Sequence, residues 1–117
     1  MPTVIMVYRS RSDVASAFDA VVRRWRLSPC EVDCVRGTAF PDVRRSRARH
    51  PRFVVERMAL VVEIDAQLTA LMDQWLIPDW LRDQIHPAFR GCPLDDMFGS
   101  TDRLRRIRDL LEPEVRQ

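Results

Sequence analysis

Apolar residues along this chain recur mostly at spacings of three and four, the mark of one helix face. Val14, Ala17, Phe18, Val21, Val22 and Trp25 keep that rhythm behind Ser12 and Asp13, which predicts an amphipathic first helix with Ser12 as N-cap. In "LSPCE" Ser28 is placed to cap a second, short helix, with Pro29 at its first position and Glu31 at its third, a capping box with the favoured proline. That helix runs to about Arg36 and stops at Gly37. After the turn "GTAF", Pro41 opens a third short helix through "DVRRSRAR", nearly bare of apolar residues, which ends before Pro51. The longest helix follows, from about Arg52 to Asp73. Val54, Met58, Val61, Val62, Leu68, Leu71 and Met72 spread so widely around it that it must be central.

The C-terminal part is more punctuated. Pro78 starts "PDWLRDQI", His86 and Pro87 end it, and "AFRG" makes a close turn through Gly91. Cys92 and Pro93 begin "PLDDMF", ended by Gly99, and Ser100 caps "TDRLRRIRDLLE" with Leu104, Ile107, Leu110 and Leu111 on one face. At the other end "TVIMVYR", Thr3 to Arg9, has the composition and length of a strand; with no neighbour to pair with, it reads as a short N-terminal strand or arm that packs on the core or on a second copy. The expected fold class is all-α, a compact bundle of six or seven short and medium helices. Residues 1–51 form an N-terminal dimerisation or divergent helix-turn-helix region. Residues 52–117 form a second helical region, and the two make one compact unit.

Length and composition bound this picture. A chain of 117 residues with 46% apolar and 31% charged residues supports one folded core rather than disorder. No apolar run reaches the roughly 20 residues of a membrane span, and the N-terminus lacks the features of a secretory signal, so a cytoplasmic protein is expected. The three cysteines then read as buried, reduced hydrophobes. All 19 basic residues are arginine. Between Arg36 and Arg57 there are seven of them against Asp42 and Glu56 alone.

That imbalance makes "RRSRARHPR" the candidate nucleic-acid segment: Arg44, Arg45, Arg47, Arg49 and Arg52 could meet phosphates and guanine edges, or form a solvated charged face. Asp33, four before Gly37, and Ser46 stand where a helix-turn-helix would carry a small residue and an apolar one, which makes that motif divergent. Cys30, Cys34, His86 and Cys92 hold the right atoms for zinc but not the tight spacings of structural zinc sites, so no metal is assigned. His86 near Asp79, Asp83, Asp95 and Asp96 lacks a nucleophile with an activating base, and no phosphate loop, nucleophile elbow or metalloprotease helix occurs. No catalytic residue and no cofactor are assigned, and the chain is read as a non-enzyme. Trp80 is expected to be mainly core, and Trp75 either core or interface.

Taken together, "ERMALVVEIDAQLTALM", "WL", "HPAFRGCPLDDMF" and "LRRIRDLLE" resemble the toxin-binding domain of the MbcA/ParS/Xre antitoxin family. The matching positions are Glu56, Arg57, Trp80, Leu81, Pro87, Phe89, Gly91, Pro93, Leu94, Asp95, Met97, Leu104, Ile107 and Leu111. Trp80, Pro87, Phe89, Gly91, Pro93, Leu94 and Asp95 are the structural motif within that set. The resemblance covers about residues 52–112. It implies an antitoxin of a bacterial type II toxin–antitoxin system that neutralises a cognate toxin, with a RES-type NAD-degrading toxin favoured, and that binds its own operator DNA. It also implies a homodimer or higher homo-oligomer, and a partner surface that includes Trp75, Arg82, Arg90, Arg103 and Arg106. Two alternatives stand beside it: a DNA-binding regulator without a toxin, and a protein-interaction module that does not bind DNA.

Overall fold

A computed structural model of the chain describes residues 11–38, 51–83, 89 and 91–116. Among them the chain forms six α-helices and no strand: α1 Arg11–Trp25, α2 Pro29–Arg36, α3 Pro51–Leu71, α4 Ile77–Arg82, α5 Pro93–Gly99 and α6 Thr101–Arg116. A single 3-10 turn, Gln74–Leu76, leads into α4. The bundle is therefore all-α, as the periodicity required. The expected N-terminal strand and the helix after Pro41 lie outside the described residues.

The helix ends follow local chemistry. Around α2 the capping box closes in both directions: Glu31 N–H donates to Ser28 Oγ at 3.1 Å and Ser28 N–H donates to Glu31 Oε1 at 2.8 Å. Its C-terminus is a Schellman turn in which Gly37 adopts φ +79°, with Gly37 N–H on Cys34 O and Thr38 N–H on Asp33 O. An equivalent turn closes α1, with Leu27 N–H on Val22 O and Arg26 N–H on Arg23 O, but here the left-handed residue is Arg26, at φ 55°. The start of α1 is a correction: the helix begins at Arg11, so Ser12 sits inside the first turn instead of capping it. Ser100 does cap α6, accepting from Arg103 N–H at 3.2 Å, and the helix continues through Pro113 to Arg116 rather than ending at Glu112.

α3 lies at the centre because apolar side chains surround it. Met58, Leu60, Val61, Val62, Ile64 and Leu68 are buried, and α1, α2 and α6 all pack on it. One apolar cluster joins Val14, Phe18, Val21 and Trp25 of α1, Val35 of α2, Ile77 and Leu81 of α4, Leu94 and Met97 of α5, and Leu104, Ile107 and Leu111 of α6. Leu110, expected on the same buried face of α6, is instead 40% exposed, because the residues three and four apart, Leu104, Ile107 and Leu111, already fill the contact stripe. Leu71 is likewise exposed at the end of α3.

Ion pairs fix how α6 crosses α3. Glu56 and Glu63, two turns apart on one side of α3, meet Arg105 and Arg108 of α6 respectively, and Gln67 Nε2 donates to Arg108 O at 3.0 Å. Progress along α3 accompanies progress along α6, so the two helices run in the same sense.

Candidate interaction surface

Three charged side chains are buried among the described residues, and each ties helices together. Arg57, 5% exposed, donates Nε–H to Val35 O at 2.8 Å and Nη2–H to Cys34 O at 3.2 Å and Met97 O at 3.1 Å. One guanidinium thus satisfies carbonyls at the C-terminal ends of α2 and α5, where helix dipoles place partial negative charge. Burial away from water pushes its pKa below the usual arginine value.

Asp65, 4% exposed on α3, accepts from Trp25 Nε1–H at 2.9 Å and from Arg24, whose Nη2 stands 2.5 Å from Oδ2. The hydrogen bond to Asp65 holds the Arg24 pKa above its ordinary value. Asp96, 3% exposed on α5, pairs with Arg103 at 2.6 Å and faces Arg106 at 3.8 Å.

These contacts separate the expected partner residues into two groups. Arg103 is used inside the fold through Asp96. So is Arg82, whose guanidinium donates to Trp25 O, Arg26 O, Pro78 O and Glu31 Oε1, all at 3.0–3.1 Å. Both arginines are clamps between elements, which the sequence pattern did not distinguish from surface arginines. Arg106 is more exposed, though its Nη1 stands 3.8 Å from the same Asp96 carboxylate, and Trp75 is 72% exposed. Arg90 lies outside the described residues, as do Arg44, Arg45, Arg47 and Arg49. Arg52 is described: it is exposed in the first turn of α3, with its guanidinium carbon 5.8 Å from the Phe53 ring centroid.

The described residues of the motif make specific contacts. Trp80 meets Phe89 edge-on, with ring centroids 5.8 Å apart and planes at 88°. Trp80 is half-buried against the core rather than enclosed by it. Gly91 turns at φ +76°, Pro93 and Leu94 are buried, and Asp95 is exposed while its N–H donates to Cys92 Sγ at 3.5 Å. Pro87 lies outside the described residues.

Cysteine burial is a correction. Cys30 is exposed, and Cys34 and Cys92 are half-buried. Cys30 falls on the side of α2 away from Val35, and Cys92 serves as the N-cap of α5. Desolvation raises the thiol pKa of Cys34 and of Cys92. Among the described residues no group of three or more His, Cys, Asp or Glu side chains is placed to hold a metal ion, and no helix is long and apolar enough to cross a membrane.

One open cleft of about 390 Å³ lies between α1 and α3. Ala17, Ala20 and Arg24 form one wall, Val62, Asp65, Ala66 and Thr69 the other, and Gln74 closes one end beside Trp75. Little in the residue pattern pointed to the cleft or to the buried charges. Asp65 reads only as a single charge within an apolar helix, Arg57 was singled out by the resemblance but not for a capping role, and the alanines look like ordinary helix formers. Comparison with protein-family models, curated proteins and solved structures gave no match.

Proposed function

We propose that this protein is a cytoplasmic antitoxin-like binding protein whose C-terminal half captures and occludes a cognate toxin, with a RES-type NAD-degrading enzyme the favoured partner. The observation that carries this reading is where the family-matching residues lie. Arg57, Leu81, Pro93, Leu94, Met97, Leu104, Ile107 and Leu111 are all buried. The described part of the resembling string thus contributes largely to a packed helical platform, which supports a binding role for it. On the outer side of α6, Arg106, Leu110 and Pro113 are exposed at helical spacing and supply a charged and an aliphatic contact for a partner.

Occlusion needs only complementary shape and charge, with the catalysis belonging to the partner. The test is NAD hydrolysis by a purified RES-type enzyme with and without excess of this protein. Inhibition that weakens on Leu110→Arg supports the reading. Unchanged hydrolysis together with no co-purification of the two proteins removes the RES-type assignment. Operator binding is the second part of the proposal and rests on the arginine run from Arg44 to Arg52; gel shifts at low salt that show no retarded DNA would remove it.

A further inference from the structure

We infer that Cys30 and Cys34 form a two-coordinate site for a soft monovalent metal ion, copper(I), held between their two sulfurs on one face of α2. The placement follows from the helix. Four residues apart within Pro29–Arg36, the two side chains stand one turn above the other. Both are free thiols, Cys30 exposed and Cys34 half-buried, so an ion reaches them from solvent. They are also close enough for the Cys34 thiol to feel the charge of Cys30. Neither belongs to the α6 face assigned to the toxin, so the inference stands apart from that reading.

Distance decides between a disulfide and an ion. Helical neighbours four apart hold their Cβ atoms about 5–6 Å from one another, whereas a disulfide needs about 3.5–4.5 Å. Closing one would distort the turn that Ser28 and Glu31 cap. An ion with two thiolate bonds of about 2.3 Å each sets its sulfurs about 4.6 Å apart, which the helix spans without bending. Ligand number then selects the ion. Among the described residues no third His, Cys, Asp or Glu joins the pair. The carboxylates that act on Cys34 are engaged elsewhere, Glu31 with Ser28 and Arg82 and Asp33 with Thr38. Zinc takes four ligands in a closed protein site, while two soft thiolates in line suit copper(I). On binding, each thiol gives its proton to solvent, so two protons leave and two sulfur–copper bonds form. Two thiolates and one monovalent ion leave one net negative charge. The Arg57 guanidinium, which donates to Cys34 O at 3.2 Å and acts on Cys34 by charge, lies beside the site to offset it.

The test is titration of the full chain, reduced and without oxygen, with copper(I) in competition with bicinchoninate, a coloured chelator of that ion. A complex of one ion per chain is expected. Cys30→Ser and Cys34→Ser should each weaken binding at least about a hundredfold, because each removes one of two linked donors. Cys92→Ser keeps an N-cap atom on α5 and should bind as the wild type does. Copper should also raise the melting temperature of the wild type and of Cys92→Ser, and of neither other variant. Circular dichroism of the metal-free proteins checks that all of them fold. Zinc is expected to bind the wild type no more tightly than it binds Cys30→Ser. A wild type that takes up no copper, binding that Cys30→Ser or Cys34→Ser leaves undiminished, or binding that Cys92→Ser also abolishes would each overturn the inference. Zinc held as tightly as copper would overturn the two-coordinate assignment.

Discussion

The side chain of Arg57 packs so tightly against Gly37 that a Cβ added at Gly37 would lie 3.1 Å from both Arg57 Cδ and Nε. The glycine turns the end of α2 with positive φ and also leaves room for the guanidinium that caps it. Gly37→Ala should therefore cost more than the roughly 1–2 kcal/mol of the left-handed conformation alone. Arg57→Met keeps most of the aliphatic stem but leaves the carbonyls of Cys34, Val35 and Met97 without this donor, at a cost of about 2–4 kcal/mol. Urea unfolding followed by circular dichroism reads both, and a loss below about 1 kcal/mol for Arg57→Met would contradict the capping role.

At the end of α1 the same turn is built with Arg26, whose φ of 55° strains a residue bearing a Cβ. Arg26→Gly relieves that strain without touching the carbonyl that Arg82 binds. It should stabilise the fold by up to about 1 kcal/mol, seen as a higher urea midpoint at unchanged slope. A lower midpoint would mean that the arginine side chain contributes more than the backbone loses.

Expected partner residues differ in what their loss should do. Arg103→Met takes the short ion pair from the buried Asp96 carboxylate, leaving it Arg106 at 3.8 Å, and should destabilise by about 2–4 kcal/mol. Trp75→Ala removes a side chain already in water, so monomer stability should stay within about 0.5 kcal/mol. Melting temperatures at low protein concentration separate the two. Equal losses would place Trp75 in the fold rather than on the surface.

Glu31 gives the fold an acid-sensitive contact. Burial alone would raise its pKa, but hydrogen bonds from the Ser28 backbone and from Arg82 outweigh that and hold it below its ordinary value of 4.5. A depressed folded-state pKa means that the ionised form is favoured by folding. Its stability is fully present above pH 4.5 and is lost as pH falls through the lower, folded-state value. Wild type should therefore melt above Glu31→Gln at pH 7, with the gap shrinking on acidification below pH 4.5. A gap that does not change with pH would assign the effect to geometry instead of charge.

Sequence alone determined the helices and most of the core. Spacings of three and four on α1 and α6, a capping box at Ser28, and prolines at the starts of α2 and α5 are local features, so their consequences can be read without knowing the neighbours. Tertiary structure decided which arginines face inward. Arg82, Arg103 and Arg106 look alike along the chain, yet Arg82 reaches back to Trp25 and Arg26, Arg103 closes on Asp96 at 2.6 Å, and Arg106, more exposed, stands 3.8 Å from the same carboxylate. The same holds for the cleft, whose walls come from two helices far apart in sequence. An arginine carries a long flexible stem and a fork of donors, and its role depends on which carbonyls and carboxylates other helices bring within reach. No spacing within one helix records that.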